Sequence, residues 1–337
     1  MSGVTNRTVT DGEDDSRLDR WFKQHYPSLA RGRLEKLLRT GQIRVDGGRV
    51  KAGHRLRAGQ TVRVPPLGLE TATPAPARRL RSRDDTAGHQ ATAKLLADAV
   101  LYRDDAVLVI NKPAGLPVQG GSGSPLHVDG ALDGLRFGHG ERPRLVHRLD
   151  KDTSGALVLA RDAAAARWLT AAFRGQDAQK LYWAMVIGEP QPRQGQVDLP
   201  LAKRPGRAGE KMTVDHESGN RAISRYTVVE NLAGKVSFVA MTPVTGRTHQ
   251  LRVHMAEIGV PVLGDGKYGG KEAFLVGDGV SRKLHLHARR LRLCRPDGEV
   301  LDVSAPPLGH FAQSLAFFGF EQAAGDAAFA RLFEVGA

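Results

Sequence analysis

The strongest functional signal in this chain lies at residues 144–155, Arg-Leu-Val-His-Arg-Leu-Asp-Lys-Asp-Thr-Ser-Gly. Polar side chains crowd its second half, and the apolar run 156–160 follows directly. A short apolar run bounded by polar residues predicts a buried strand. A polar loop that leads into such a strand can hold a side chain at the wall of a pocket. Asp150 is the candidate for that side chain, because Arg148 and Lys151 lie close enough in sequence to keep its carboxylate ionised.

Taken alone, the same polar run is equally compatible with a solvated turn whose side chains cap the backbone. Further motifs along the chain distinguish the two interpretations. In order they are Asn-Lys-Pro-Ala-Gly-Leu-Pro-Val at 111–118, Lys-Leu-Tyr at 180–182, Gly-Arg-Thr-His-Gln-Leu-Arg-Val-His at 246–254 and Leu-His-Ala at 286–288. Together with His-Arg-Leu-Asp-Lys-Asp-Thr-Ser-Gly, they resemble the motifs of the RluA-type pseudouridine synthases. The resemblance covers most of the chain and implies that Asp150 is the catalytic aspartate.

Length and composition are those of an ordinary globular protein. The chain has 337 residues, of which 41% are hydrophobic and 25% charged, and this length favours two domains. No apolar run is long enough for a membrane span, and the N-terminal residues lack the apolar core of a secretory signal. The single cysteine, Cys294, excludes an internal disulfide and a cysteine-based metal site, and its strand-like surroundings predict a core residue. We therefore expect a cytoplasmic protein.

The positive charge is concentrated near the N-terminus. Residues 1–66 carry 14 Lys and Arg against 7 Asp and Glu, a net charge of +7 out of +13 for the whole chain. A small and strongly basic module indicates a polyanionic partner.

The pattern of residues 16–66 predicts two short helices packed on a small sheet. Leu18, Trp21 and Phe22 share one helical face, a second helix starts near residue 30, and Asp46-Gly47 predicts a hairpin turn. The arrangement resembles an S4 RNA-binding domain. The candidate RNA-binding residues are Arg31, Arg33, Lys36, Arg39, Arg44 and Arg49. The alternative is that these cations only form a solvated helical face.

The flanking segments complete the predicted domain organisation. Residues 1–15 are polar and predict a disordered tail, and the basic, proline-containing stretch 67–95 predicts a flexible linker. Residues 96–320 are predicted to form the catalytic domain, and residues 321–337 a C-terminal extension.

The catalytic domain is predicted to be α+β. Apolar runs predict short strands with hairpin-length gaps and few helices, which favours a mixed, mainly antiparallel sheet. The strands are expected at 106–110, 156–160, 181–187, 224–230, 236–242, 284–293 and 299–304. Helices are expected at about 162–174 and 248–258. The resemblance implies the pseudouridine synthase fold, a long bent sheet with a central cleft.

The family resemblance also implies roles for individual side chains. Arg252 matches the arginine that pairs with the catalytic aspartate, although Arg247 could take that role or bind RNA. Tyr182 matches the active-site tyrosine, whose ring can stack on uracil and whose hydroxyl can take part in proton movement. A tyrosine in a strand is otherwise more often a core residue.

A uridine in folded RNA has to leave its stack to reach a cleft. Arg148 suits that step, because its planar guanidinium can occupy the position that the base vacates. We expect His147 and Thr153 to support the active-site loop.

Isomerisation of uridine to pseudouridine needs neither redox change nor group transfer, so the resemblance implies no cofactor and no metal. Within the family, the domain pairing is most like that of the members that act on large-subunit ribosomal RNA. The expected partner is therefore 23S rRNA or a pre-ribosomal large-subunit particle, with the protein acting as a monomer. The alternative is a non-catalytic RNA-binding ribosome assembly factor, which would not need Asp150 together with Tyr182 and Arg252.

Overall fold

The computed structural model describes residues 4–67, 83–120, 125–175, 177–206, 209–275, 277 and 279–333. They belong to two compact units, residues 1–82 and residues 83–337. No helix within the described ranges is both long and apolar enough to cross a membrane.

The described residues of the N-terminal unit form two α-helices, a short 3₁₀ helix at Asp11–Glu13 and a three-stranded antiparallel sheet. Its elements are β1 (Thr5–Thr8), α1 (Leu18–His25), α2 (Arg31–Arg39), β2 (Arg44–Val45) and β3 (Thr61–Val64). β3 lies between β1 and β2. The predicted helical face is confirmed, because Leu18, Trp21 and Phe22 are all buried in the core of this unit.

The predicted turn at Asp46-Gly47 is also confirmed. Asp46 and Gly47 both have positive φ angles, 47° and 77°, which is the backbone of a type I′ hairpin turn. The backbone N–H groups of Val45 and Gly48 each donate to the other residue's carbonyl, at 3.1 and 2.8 Å.

The prediction of a disordered tail over residues 1–15 is wrong for the described part of that segment. Residues 5–8 form the edge strand β1, which pairs with residues 61–64 of β3. Val9 is only 2% exposed and belongs to the core. The segment looks like a tail in the sequence because an edge strand needs few apolar side chains when its backbone hydrogen bonds are satisfied by its neighbour.

The second unit is built on a 10-stranded sheet and a separate two-stranded hairpin. Its strands are β4 (Val100–Arg103), β5 (Val107–Lys112), β6 (Arg144–Leu145), β7 (Ser154–Ala160), β8 (Gln179–Ile187), β9 (Gln194–Asp198), β10 (Leu201–Gly206), β11 (Gly209–Val214), β12 (Ile223–Leu232), β13 (Val236–Pro243), β14 (Leu286–Cys294) and β15 (Val300–Ser304). The main order is β4-β5-β7-β14-β8-β13-β12-β9, with β15 on β14 and β6 on β7. β10 and β11 form the separate hairpin.

The pairings in this sheet are antiparallel except that β7 and β14 run parallel. The predicted mixed, mainly antiparallel sheet is therefore confirmed. The helices of the unit are α3 (Arg83–Asp98), α4 (Val128–Ala131), α5 (Ala163–Gly175), α6 (Gln250–Glu257), α7 (Gly309–Phe318) and α8 (Gln322–Phe333).

The short parallel contact between β7 and β14 explains two of the sequence motifs. Ser154 and Gly155 lie opposite His287 and Ala288, and the Ser154 hydroxyl is 2.8 Å from Nδ1 of His287. Gly155 has a φ of 113°, and a Cβ at this position would overlap the backbone of Ala288. Only glycine satisfies both conditions, so the motif that contains Asp150 ends at a rigid, closely packed point of the sheet.

The predicted linker over 67–95 is only partly tested. Residues 68–82, with most of the basic run at 78–83, lie outside the described residues. Residues 83–95 belong to α3, so this half of the prediction is wrong. Ala93 and Leu96 of α3 are buried in the same core cluster as Val128 and Leu132. Two apolar positions at helical spacing are enough to anchor a helix but give too weak a pattern to predict one.

The C-terminal segment 321–337 is not an extension outside the catalytic core. Within it, α8 buries Ala328, Phe329 and Leu332 in a cluster that includes Trp183 of β8 and Phe238 of β13. Small residues let this helix lie close to the sheet, and a Cβ on Gly325 would meet the rings of Trp183 and Phe238.

The prediction that Cys294 is a core residue is wrong as well. Leu291 and Leu293 of β14 point into the core, whereas Cys294 is exposed at the end of the strand. Side chains alternate between the two faces of a strand, so adjacent residues face opposite sides.

Candidate active site

A cavity of about 690 Å³ opens in the second unit beside the loop that precedes β7. Residues 145–151 and Thr153 come from the end of β6 and this loop, and residues 246–252 come from the turn before α6 and its first three residues. β8 contributes Lys180 and Tyr182. The cavity brings together all seven candidate active-site residues that the sequence indicated in this unit: His147, Arg148, Asp150, Thr153, Tyr182, Arg247 and Arg252.

Lys112 binds the backbone of the Asp150 loop. It was not among the residues selected from the sequence. The Lys112 side chain is fully buried at the end of β5. Its ammonium group donates to the backbone carbonyls of Pro113, Leu116 and Lys151, at 2.9, 2.9 and 3.1 Å. Burial lowers the pKa of Lys112 to about 7, and the charges of Asp152 and Asp150 oppose that shift. The signal for Lys112 was its place in the 111–118 motif.

Nitrogen atoms of two side chains face the carboxylate of Asp150. The distance from Oδ2 of Asp150 to Nη1 of Arg252 is 3.7 Å, and to Nε2 of His249 it is 3.8 Å. Arg252 therefore lies where the sequence placed it. His249 belongs to the same motif as Arg252 but was not selected, because a histidine at the start of a helix has no distinctive sequence signal.

Arg252 has a second carboxylate partner that the sequence did not indicate. Its Nε and Nη2 atoms donate to Oδ2 and Oδ1 of Asp265, at 2.7 and 2.8 Å. Asp265 is only 1% exposed, so this is a buried, two-pronged ion pair. Burial lowers the pKa of Arg252, but the hydrogen bond and charge of Asp265 raise it by more. The net pKa is therefore raised, and the guanidinium stays charged. Asp265 fixes the guanidinium plane and leaves Nη1 directed at Asp150.

His249 is held in place by its backbone and by Tyr268. It precedes α6 with a φ of 54°, in the left-handed region. Its Nδ1 atom lies 2.6 Å from the Tyr268 hydroxyl. Burial lowers the pKa of His249, and the negative charge of Asp150 opposes that effect. The guanidinium of Arg252 lies 5.1 Å from the centre of the Tyr268 ring, within the range of a cation–π contact.

Tyr182 lies in β8, opposite Ala288 of β14 and Met241 of β13. Burial raises the pKa of its hydroxyl, and the nearby charge of Asp150 raises it further. The phenol therefore remains protonated at neutral pH. It is both a packing residue of the sheet and a wall of the cavity, so the two interpretations of this tyrosine do not conflict.

His147 and Arg148 are adjacent in sequence but differ in environment. The His147 ring stacks on Phe173 with centroids 4.1 Å apart, and its Nε2 accepts a hydrogen bond from the Val158 backbone N–H at 2.8 Å. Burial lowers the pKa of His147 to about 3, with a smaller contribution from Lys180, so the ring is neutral. Arg148 is exposed at the cavity. His147 thus attaches the loop to β7, and Arg148 is available to solvent.

Thr153 and Arg247 lie further from the centre of the site. Thr153 is buried, and its backbone N–H donates to the Asp150 carbonyl at 3.2 Å. Arg247 is exposed, and its Nε donates to the Arg221 carbonyl at 3.0 Å. Arg252 rather than Arg247 is therefore the arginine next to Asp150.

Comparisons with known proteins agree with this geometry. The family described as RNA pseudouridylate synthase matches residues 106–257. The chain is 36% identical over 305 residues to the ribosomal large subunit pseudouridine synthase C of Escherichia coli K12, covering 88% of this chain and 91% of that protein. It is 37% identical over 279 residues to the protein of the same name from Rickettsia conorii, covering 82% of this chain and 89% of that one. The chain belongs to the RNA pseudouridylate synthase family.

Solved structures support the fold of this pseudouridine synthase. The human RNA pseudouridylate synthase domain containing 4 superposes with a TM-score of 0.60 at 31% identity, covering 70% of this chain and 98% of the human one. The human RNA pseudouridylate synthase domain containing 1 gives 0.50 at 28% identity, with 66% and 95% covered. The protein is therefore an enzyme that isomerises uridine in RNA, on the fold that its sequence motifs implied.

The basic residues that the sequence selected lie on α2 and the following hairpin of the N-terminal unit. Arg33, Lys36, Arg39 and Arg49 are exposed. Arg44 is half-buried, and its guanidinium donates to the Gly41 and Gly47 carbonyls at 3.1 and 3.2 Å. The Arg31 side chain lies outside the described part of the structure.

The described ranges contain no group of three or more His, Cys, Asp or Glu side chains placed to hold a metal ion.

Proposed function

We propose that this pseudouridine synthase acts on specific uridines of 23S rRNA, as free RNA or in a pre-ribosomal large-subunit particle, with Asp150 as the catalytic carboxylate. The names of the most similar relatives support the substrate class. The observation that carries the catalytic assignment is the Asp150 carboxylate at the cavity wall, 3.7 Å from the Arg252 guanidinium and 3.8 Å from the His249 imidazole.

The reaction requires a carboxylate of this kind. The bond between uracil N1 and the sugar carbon C1′ breaks, the uracil rotates, and a bond forms between its C5 and C1′. The C5 hydrogen leaves as a proton and N1 gains one, so product and substrate contain the same atoms. An ionised Asp150 can attack the sugar carbon or stabilise a cationic sugar while the uracil is detached. Both routes need a fixed anion close to C1′.

Arg252 and its partner Asp265 supply that fixed geometry. A mobile cation would fold down onto Asp150 and compete with the sugar, whereas Asp265 binds two nitrogens of the guanidinium and holds it at 3.7 Å. Preorganised charges of this kind require no rearrangement during the reaction. Arg252 thus balances Asp150 without neutralising it by direct hydrogen bonding.

Tyr182 gives the cavity a flat, apolar surface next to Asp150. Its ring can stack on the detached uracil, which has to rotate without leaving the site. Its protonated hydroxyl can donate a hydrogen bond, since the pKa of this phenol is raised by burial and by Asp150.

Arg148 is suited to stabilise the RNA after the uridine leaves its stack. It is exposed at the cavity, two residues from Asp150, on a loop that His147 attaches to β7. A guanidinium plane can stack on the neighbouring bases at the vacated position, which lowers the cost of extrusion. Arg247, also exposed at the cavity, can contact phosphates.

The N-terminal unit supplies general affinity for RNA in this proposal. We infer an S4-like RNA-binding role from its two helices, its small sheet and the exposed cations Arg33, Lys36, Arg39 and Arg49. Such contacts act on phosphates and on RNA shape, and the catalytic cleft selects the target uridine.

The test is to replace Asp150 by alanine and assay purified protein on 23S rRNA transcript, with pseudouridine mapped by chemical modification. We expect turnover to fall by at least about 10³-fold, equivalent to about 4 kcal/mol in the barrier. Binding of the RNA and the thermal unfolding profile should remain close to wild type.

Asp105→Ala is the matched control. Asp105 is an exposed carboxylate of the same unit that does not line the cavity, so its loss should leave turnover within about twofold. Measurable turnover by Asp150→Ala would overturn the assignment of Asp150. Modification confined to RNA outside the large subunit would overturn the substrate.

A further inference from the structure

Behind the active site, Tyr268 contacts both of the groups that face Asp150. His249 and Arg252 line the cavity, whereas Tyr268 is absent from its described lining. The Tyr268 hydroxyl is 2.6 Å from Nδ1 of His249, and its ring lies 5.1 Å from the Arg252 guanidinium. Tyr268 therefore contacts His249 and Arg252 from outside the described lining of the cavity.

The Tyr268 hydroxyl is fixed by a second hydrogen bond. The backbone N–H of Met212, in β11, donates to its oxygen at 3.3 Å. Besides Arg252, the ammonium groups of Lys211 and Lys267 lie within 6 Å of the ring centre, at 5.2 and 5.9 Å. Burial raises the pKa of Tyr268, so its hydroxyl keeps a proton that it can donate to His249.

The surroundings of His249 determine where its proton lies. Burial disfavours the charged imidazolium and lowers the pKa of His249 despite the opposing charge of Asp150. A neutral imidazole carries one N–H, and its other nitrogen can only accept. Nε2 faces a carboxylate, which can only accept, at 3.8 Å. The favoured arrangement has the proton on Nε2 and leaves Nδ1 to accept from the Tyr268 hydroxyl.

We propose that Tyr268 is a positioning residue that holds His249 in the tautomer with its proton on Nε2, so that Asp150 faces an imidazole N–H donor in addition to Arg252. This proposal rests on the catalytic role of Asp150. The N–H then directs the positive end of its dipole at Oδ2 across 3.8 Å, whereas the opposite tautomer would present a lone pair to the carboxylate. The left-handed backbone at His249 and the hydrogen bond from Met212 to Tyr268 restrict the positions of the two rings.

The first experiment compares Tyr268→Phe with Tyr226→Phe in the full-length enzyme. Tyr226 is a matched control, because its hydroxyl also makes a hydrogen bond, at 3.0 Å to the Pro192 carbonyl, but it lies outside the described lining of the cavity. We expect Tyr268→Phe to lower kcat about tenfold while KM for the RNA changes by less than about twofold. Tyr226→Phe should leave both constants within about twofold of wild type.

The second experiment tests the N–H donor at His249. In His249→Gln the side-chain amide can place an N–H near the position of Nε2, whereas His249→Met has similar length and no donor. We expect the glutamine variant to retain clearly more kcat than the methionine variant. Equal kcat values for the two variants would show that the donor is not used.

The third experiment observes the tautomer without any substrate. In ¹⁵N-histidine-labelled protein, the His249 imidazole resonances are assigned by their loss in His249→Gln. We expect a neutral ring protonated at Nε2 in the wild type and a mixture of tautomers in Tyr268→Phe. A wild-type ring protonated at Nδ1 would overturn the proposal, as would Tyr268→Phe with wild-type kcat. Because this measurement does not depend on turnover, an active Asp150→Ala would overturn the proposed catalytic role and leave the tautomer result standing.

Discussion

The cations of the active site and those of the N-terminal unit have the same chemistry but are held differently. Arg252 is 9% exposed in its side chain and is bound through two nitrogens by a buried carboxylate. Arg33, Lys36 and Arg39 project from the exposed face of α2. A buried, oriented charge can stabilise one defined atom of the reaction. Exposed charges contribute to RNA affinity in proportion to their number, and salt screens them. Substitutions in the two regions should therefore change different measured quantities.

The largest effect is expected for Arg252→Met. We expect kcat to fall by about 10³-fold, or about 4 kcal/mol, because Asp150 loses its oriented cation and Asp265 becomes an unpaired buried carboxylate. Affinity for the RNA should change much less. Single-turnover assays and RNA binding, measured under conditions where the variant is folded, check this.

Arg247→Met is the matched comparison, because Arg247 is an exposed arginine of the same motif. It should affect RNA affinity more than kcat. If Arg247→Met is inactive and Arg252→Met has near-normal turnover, Arg247 is the cation that acts on Asp150 and Arg252 is the residue that contacts RNA.

A smaller loss of activity is expected for Asp265→Asn. The amide keeps the shape and one acceptor but removes the charge, so Arg252 is no longer held by two charged hydrogen bonds. We expect kcat to fall between about 10- and 100-fold.

Asp302→Asn is the control for a two-pronged ion pair. Asp302 binds Arg290 through two hydrogen bonds of 2.6 Å but is 30% exposed and lies outside the described lining of the cavity. It should leave kcat within about twofold. Equal effects of the two substitutions would mean that Asp265 has no special relation to the site.

Acid should destabilise the catalytic unit through its buried histidines. Burial lowers the pKa values of His285 and His287 to about 4, against 6.5 for an unperturbed histidine. Between these pKa values the unfolded chain binds more protons than the folded one. The contribution of the two histidines to the free energy of unfolding is therefore complete above pH 6.5 and is lost as the pH falls toward 4. Each residue should contribute a loss of about 2 kcal/mol between pH 7 and pH 5. Urea unfolding at several pH values measures this.

The controls for this prediction are two histidine substitutions. His285→Gln should flatten the dependence of unfolding free energy on pH, whereas substitution of the exposed His216 by glutamine should not. An unchanged slope in His285→Gln would show that His285 does not titrate with this shift.

The smallest effect is expected for the triple replacement of Arg33, Lys36 and Arg39 by glutamine. Loss of three phosphate contacts should weaken RNA binding about tenfold and make the slope of log affinity against log salt shallower by about 2. At saturating RNA, kcat should remain that of the wild type. Binding titrations over a range of salt concentrations, with turnover measured in parallel, check both expectations.

A matched triple replacement in the catalytic unit uses three exposed lysines, Lys235, Lys271 and Lys283. It should change the salt slope less than the α2 variant. An α2 variant with the wild-type slope would mean that α2 does not bind RNA, and a protein partner would then be the better assignment for the N-terminal unit.

The sequence predicted strongly periodic elements well and weakly periodic ones poorly. The strands predicted at 156–160, 181–187 and 236–242 lie within β7, β8 and β13. β10 and β11 were not predicted, since their largely polar sequences give a weak strand pattern, with only Leu201, Met212 and Val214 of their described side chains packed against the core. β1 and α8 were misjudged because their stability comes from pairing with β3 and from packing on Trp183 and Phe238, neither of which is a local property.

The sequence by itself determined which carboxylate to examine, and with it the loop, the family and the neighbouring arginine. These features lie in short continuous motifs, which can be recognised in the sequence without the fold. The tertiary structure decided which groups act on Asp150. Asp265 lies 13 residues from Arg252, Tyr268 lies 19 residues from His249, and the Lys151 carbonyl lies 39 residues from Lys112. These pairs are in contact because the sheet and α6 bring distant segments together. A local sequence pattern does not predict such contacts.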